Sequence, residues 1–474
     1  MSPNGVLSPN GVLRITRRHW LRGSAAGLTG LTACTAGGAA RGGPQGPTLS
    51  PAPQRIEATI RFAAVGNPTE RPVWEQITTA YNELKTGLTV EYEPCTAPDC
   101  LAHYFNQFVA GTPPDTWRID DEPLPLYADR GMYHELDALL ARDGREVNLA
   151  DFFPRSLEAY RFDRAAQRYG AGKLYALPFN TGADMMWFNP RLFREAGLEP
   201  PPVDGNWTMD QFIDLALKTT TMEGNGTLRT VGLAQRPGFR GSLAFLWSAG
   251  ATFLDESAKK WKVMAPETIR AYEWFVALRH RHKIVPGPAD FQGLGNPFLA
   301  GRGAMWSSFA VVRPDILARA DSVPEWDVTH YPKGANGQRY TRETSDGVGM
   351  PAQPKQPDAG WTFIKYLASP EGMKVQAALG RAVPARKSVA NGPDYVRPDT
   401  PQHEENLVKA LEYSRLQPIT YMFPQAETVI RRYEDAMFDP SSPLPPGRAM
   451  QQLQEVLDRL EQDRALPEGW EPKP

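Results

Sequence analysis

The chain has 474 residues, 41% of them hydrophobic, and its 52 basic side chains nearly balance 54 acidic ones for a net charge of −2. That length suffices for two domains of ordinary size, and the charge gives no basic footprint for nucleic acid. Past the N-terminal region, no segment reaches the roughly 18 uncharged apolar residues of a spanning helix.

The first 34 residues carry the clearest local signal. Thr16-Arg-Arg-His-Trp-Leu-Arg22 precedes a small and apolar run from Gly23 to Ala33, ending in Leu31-Thr-Ala-Cys34. A paired arginine, an uncharged run and small residues before a cysteine read as an export signal, residues 1–33, with lipid attachment at Cys34. The run is too short to span a bilayer about 30 Å thick, so it reads as a removable leader. Arg17-Arg18 in this setting resembles a twin-arginine signal, a route associated with folded cargo. A disordered tail with a chance arginine pair is the alternative, and it leaves the ordered series unexplained. Residues 34–55 hold almost no large apolar side chain, a composition that behaves as a flexible spacer. These features place the working protein outside the cytoplasm, periplasmic or on the outer membrane face, tethered by lipid alone.

The body alternates strand and helix signals. Ile60 to Val65 reads as a short strand, and Val73, Trp74, Ile77, Tyr81 and Leu84 recur at helical spacing until Gly87. Leu88 to Tyr92 returns as a strand. Cys95 and Cys100 are the only cysteines beyond Cys34 and read as one local disulfide in an oxidising compartment. Free thiols are the alternative, while a metal site lacks a nearby His/Cys cluster to complete four ligands. With a twin-arginine leader, such a bond would form after export. A helix follows at about 101–110. At 207–217, Thr208 and Gln211 stand as a capping box, with Trp207 and Phe212 placed for a hydrophobic staple. Further helices are predicted at 267–281 and 358–368, and a last one carries Met450, Leu453, Val456, Leu457 and Leu460. The alternation argues for an α/β protein with mostly parallel sheets.

Several segments, in order, resemble the extracellular solute-binding proteins of ABC importers, in the sugar- and oligosaccharide-binding family. They are Phe108-Val-Ala-Gly-Thr-Pro-Pro-Asp115, Gly131-Met-Tyr-His-Glu-Leu-Asp137, and Gly172-Lys-Leu-Tyr-Ala-Leu-Pro178 followed by Asn189-Pro-Arg-Leu-Phe-Arg-Glu-Ala-Gly197. Trp207-Thr-Met-Asp-Gln-Phe212, Phe298-Leu-Ala-Gly-Arg-Gly-Ala-Met305, Gly349-Met-Pro351, Ala359-Gly-Trp-Thr-Phe363 and Ser369-Pro-Glu-Gly372 continue the series. Each is weak alone; their order and spacing are strong. The resemblance covers nearly all of residues 56–465 and implies a two-lobed, periplasmic-binding-protein-like α/β fold with hinge strands and a ligand cleft between the lobes. It implies chain crossings near Gly182-Ala183, near Ser345-Asp346 and within 386–395. The expected lobes are 56–182 with 347–390, and 183–346 with 391–474.

A sugar offers hydroxyls that both donate and accept, and an apolar C–H face; its site needs carboxylates, amides, arginine and aromatic rings. Asp120, Asp121 and Glu122 stand at the lip of the implied cleft, Asn67 ends the first strand, and Asn180, Thr181 and Asp184 lie at the crossover. Arg240 and Trp247 share an apolar stretch, where core packing competes as the role for Trp247. Trp306, Ser307 and Phe309 follow Ala304-Met305; the family's usual stacking tryptophan is absent there, and Trp306 or Phe309 is its substitute. Asp346 stands where relatives vary, after Thr344-Ser345 in place of Gly-Gly, and Tyr421 and Phe423 occupy a late cleft-lining segment.

An enzyme is the rival class, but His-Glu-x-x-His, Gly-x-Ser-x-Gly and Gly-x-x-x-x-Gly-Lys are all missing from the sequence. Asp120 with Asp121 or Glu122 could form a glycosidase pair, yet adjacent positions give no reason to expect separated acid and base roles. His280 and His282 read as part of a solvated basic cluster. The expectation is a monomeric, cofactor-free capture protein that hands a sugar or oligosaccharide to permease subunits. Polyols and glycerophosphodiesters are the runner-up ligands, and a secreted carbohydrate hydrolase or an adhesion protein the rival functions.

Overall fold

A computed structural model of the chain describes residues 56–466 and 472, leaving aside 69, 97–99, 225–226, 236–237, 256, 258, 288–289, 292, 294, 381 and 398–400. The leader, Cys34 and the spacer read from the sequence lie outside the described residues.

Strand β1 (Ala58–Val65), helix α1 (Arg71–Glu83), strand β2 (Leu88–Cys95), helix α2 (Cys100–Val109) and strand β3 (Thr116–Asp120) open the first lobe. β1 pairs in parallel with β2 on one side and β3 on the other. The periodic residues of α1 explain its docking: Trp74, Ile77 and Tyr81 are fully buried, and the Trp74 ring meets Phe62 of β1 edge-on at 5.3 Å.

Strand β4 (Ala176–Phe188) is thirteen residues long and buried throughout. Helix α3 (Met209–Thr219) starts at the expected capping box: Gln211 N–H donates to Thr208 Oγ1 at 3.3 Å and Thr208 N–H to Gln211 Oε1 at 2.8 Å. Strand β5 (Leu228–Leu233), helices α4 (Phe239–Ser248) and α5 (Pro266–His280), and strand β6 (Gly303–Phe309) build the second lobe. Strand β7 (Thr341–Gly349) then returns alongside β4, and helices α6 (Pro357–Leu367), α7 (Phe423–Met437) and α8 (Pro446–Asp463) complete the layers.

Among the described residues, eleven strands join one continuous sheet, with β2-β1-β3-β7-β4-β6-β5 along its path. The expectation of mostly parallel sheets is corrected here. Every pairing made by β4 is antiparallel, as is β7 with β3. The cause is topological: one strand leads the chain across the molecule and the other brings it back. Two hydrophobic cores flank this seam. One gathers Phe62, Trp74, Trp117 and Trp361, the other Phe245, Tyr272, Tyr433 and Leu457.

The β4–β7 register shifts between Asp346 and Gly347, where Asn180 and then Pro178 are the partners. Proline has no N–H for the ladder, so a bulge at this point is the local solution. The bulge turns Asn180 toward Asp346.

The second core also buries a carboxyl group. Glu434 of α7 is fully buried and accepts from Ser242 Oγ of α4 at 3.0 Å and from Tyr272 Oη of α5 at 2.9 Å. Burial pushes its carboxyl up to about 8, outweighing both bonds. A raised folded-state pKa gives stability that is complete below the unfolded value and lost as pH rises through the folded one. Glu434→Gln should therefore gain stability relative to the parent between pH 5 and pH 8, by at least about 1 kcal/mol, the worth of one pKa unit. Thermal unfolding at the two pH values measures the difference; equal gaps would place the Glu434 proton elsewhere.

Candidate functional site

A cavity of about 610 Å³ opens against β3, β4, β6 and β7. Arg118 and Asp120, two apart on β3, share its cleft face. Asp346 of β7 pairs directly across from Asp120, an arrangement that sets like charges against each other. Arg118 resolves the conflict, with Nη2 2.7 Å from Asp120 Oδ1 and 2.5 Å from Asp346 Oδ1. From the bulge, Asn180 donates Nδ2 to Asp346 Oδ2 at 2.8 Å and accepts the Asp346 N–H at 3.1 Å. Burial pushes the Asp120 carboxyl up, Arg118 pulls it down, and Glu122, Asp346 and Glu70 raise it again, leaving it at about 6.

Across the cavity, Arg240 stands in the first turn of α4. It gives Nη1 to Glu122 Oε1 at 2.7 Å and clasps the Glu427 carboxylate of α7 through Nε and Nη2. Glu122 lies two residues from Leu124 of the first core and Arg240 adjoins Phe239 of the second, so this ion pair spans the cleft. Burial opposes the Glu122 charge, but Arg240 and Arg342 hold its carboxyl below the ordinary range. Arg342 of β7 binds Asp184 of β4 in a fork, Nε at 3.0 Å and Nη2 at 3.1 Å. Its guanidinium stands 5.6 Å over the Phe309 ring. Trp306 and Phe309 of β6 supply the aromatic surface, and Ser307 shares a 2.5 Å hydroxyl bond with Tyr331.

The cavity thus brings together Asp120, Glu122, Asp184, Arg240, Trp306, Ser307, Phe309 and Asp346 of the residues expected from the sequence. Glu70, Arg118, Gln235, Arg342 and Glu427 join them without having been singled out. Arg118 was within reach of strand periodicity, two residues before Asp120. Arg342 and Glu427 carry no local signal, since their partners lie 158 and 187 residues away.

Other expected residues sit elsewhere. Asn67 Oδ1 accepts the Glu70 N–H at 2.8 Å just before α1. Asp121 is 1% exposed and accepts from Tyr169 Oη at 3.3 Å; burial, then Glu122 and Asp120, push its carboxyl well above the ordinary range. Asn180 lies beneath Asp346, and Thr181 Oγ1 donates to Glu343 Oε1 at 2.9 Å between the hinge strands. Trp247 and Phe423 are packed in the second core. Tyr421 faces a separate cavity of about 510 Å³, under the Arg464 guanidinium at 3.8 Å.

Cys95 and Cys100 are joined as a disulfide, their Cα atoms 5.7 Å apart, linking the end of β2 to the start of α2. Beside it, Gly66 N–H donates to the Cys95 carbonyl at 2.7 Å, and a Cβ on Gly66 would fall 2.6 Å from Pro94 Cβ. The bond therefore braces the turn that carries Glu70 to the cavity.

Two α/β lobes on a shared hinge, closing over a cavity of paired charges and aromatic rings, define a two-lobed binding protein. The profile of the bacterial extracellular solute-binding protein family matches residues 66–374, and the chain belongs to that family. A Brucella abortus protein named as a binding protein is 22% identical over 300 residues, 62% of this chain and 68% of its own. An ABC substrate-binding protein of Listeria monocytogenes, solved with cycloalternan, superposes with a TM-score of 0.71 at 18% identity, over 85% of this chain and 98% of that one. An ABC solute-binding protein of Agrobacterium radiobacter, solved with ribitol, gives 0.68 at 21% identity, over 87% and 100%. Membership places the chain outside the cytoplasm, and among the described residues no helix is long and apolar enough to cross a membrane.

The Arg342–Asp184 pair yields a direct test, because its side chains are only 5% and 3% exposed. Arg342→Met strands a buried carboxylate and should cost about 3–5 kcal/mol in urea unfolding at pH 8. The loss should shrink at pH 5, where a stranded Asp184 takes up a proton. An undiminished stability at pH 8 would show the fork to be energetically idle.

Proposed function

We propose that the chain is the capture subunit of an ABC importer, closing its two lobes over a sugar or polyol and passing it to permease subunits. One observation carries the reading: among the described residues, every guanidinium lining the cavity is already bonded to a carboxylate, beside the half-buried indole of Trp306. Such a lining accepts hydroxyl protons and packs a C–H face, and among the described residues it holds no spare cation for an anion. A glycerophosphodiester would meet carboxylates with no guanidinium left to pair it. The ligands named for the Listeria and Agrobacterium relatives, cycloalternan and ribitol, are likewise rich in hydroxyls.

Binding needs no covalent step. β4 and β7 are the crossings, so a ligand that touches both lobes favours the closed form by its differential contacts. The protein acts as a monomer and not as a hydrolase. Cleavage and acylation at Cys34 would leave residues 34–55 as the tether that holds it near its permease.

Titration calorimetry over a panel of sugars and polyols, with X-ray scattering on the best binder, tests this reading. Binding should reduce the radius of gyration, and Trp306→Ala should weaken affinity about tenfold or more in a variant that still unfolds cooperatively, with some stability lost from its packing on Phe298. Lack of a response to any panel member would defeat it; an unaffected Trp306→Ala variant would move the aromatic platform.

A further inference from the structure

The cavity wall is unbalanced in charge. Among the described residues, six carboxylates line it (Glu70, Asp120, Glu122, Asp184, Asp346 and Glu427) against three guanidiniums, those of Arg118, Arg240 and Arg342. Each arginine is already spent. Arg342 is committed to Asp184, Arg240 is shared by Glu122 and Glu427, and Arg118 is shared by Asp120 and Asp346. The shortfall is not distributed evenly. Asp184 has both oxygens on one guanidinium, Glu427 likewise, and Asp346 has Arg118 on one oxygen and Asn180 on the other.

Asp120 differs. Among the described residues its side chain makes one ion pair, to Arg118 through Oδ1, and 43% of its side-chain surface is exposed. A neutral hydroxyl donates to such a carboxylate but leaves the excess charge in place, whereas an ammonium group removes it. The surplus is not gathered as a metal site, for among the described residues no three His, Cys, Asp or Glu converge as ligands would.

We propose that the preferred ligand is a hydroxylated amine, a sugar or polyol bearing a free ammonium group, and that Asp120 binds that group. The proposal rests on the capture reading above and specifies its substrate class. Trp306 fits the same ligand, since an indole face attracts both C–H groups and a nearby cation.

Three matched trios and one pair decide it: D-glucose, D-glucosamine and N-acetyl-D-glucosamine, their galacto and manno counterparts, and D-glucitol with 1-amino-1-deoxy-D-glucitol. Calorimetry at pH 7.5 should show the free amine binding at least tenfold more tightly than its neutral relatives in the responding set. Asp120→Asn should bring amine and neutral members within about twofold of each other, and in the parent the amine preference should fade as pH drops below 6, where Asp120 gains a proton. A fold-independent check comes from that pH profile, should Asp120→Asn unfold. Neutral members binding as tightly as the amines would overturn the proposal while leaving sugar capture intact. Silence from every compound would sink both.

Discussion

The antiparallel pairing of β4 with β7 is the constraint on which the rest of the molecule depends. These two strands lie side by side in the middle of the sheet, and β4 is buried along its whole length. Because they are hydrogen-bonded to each other, the lobes meet through a seam of sheet and not through loose linkers. The bulge at Pro178 interrupts that seam at the floor of the cavity. The ladder defect aims Asn180 at Asp346.

The polar residues of the cleft follow from the same seam. Asp346 and Asp120 are neighbours because β7 runs beside β3, and Arg342 finds Asp184 because β7 runs beside β4. Burying charges is expensive unless geometry and further hydrogen bonds compensate. Here a fork, a shared guanidinium and an asparagine amide supply them. The result is a set of acceptors held in place before a ligand arrives, so little rotamer entropy is left to lose on binding.

Much of this was legible in the sequence. Amphipathic spacing located α5 to within one residue and α1 with its end a few residues long, the Thr208/Gln211 box located α3, Asp120 and Trp306 were marked by their place after recognisable segments, and Arg240 by the apolar stretch around it. What escaped was long-range. Periodicity cannot say that Arg342 will oppose Asp184, because register between distant strands is set by the fold and not by either segment. The parallel-sheet expectation failed for a related reason: local patterns identify strands, but the direction of a returning crossover is a property of the whole path. Trp247 and Phe423 illustrate a third limit. An aromatic flanked by apolar residues reads the same whether it faces a core or a ligand, and both went to the core.

The ion pair between Arg240 and Glu122 bears on how closure is controlled. Arg240 is held from its own lobe by Glu427, so the bond to Glu122 is made by a side chain already oriented. That lowers the entropic cost of bridging the cleft. Yet the Arg240 side chain remains 44% exposed, and pairs screened to that degree contribute only about 0–1 kcal/mol. A ligand donating several hydroxyl bonds, each worth about 0.5–1.5 kcal/mol, exceeds it readily. On the proposed closing motion, such a bridge would guide the two lobes into register without holding them shut, leaving the closed population to what occupies the cavity.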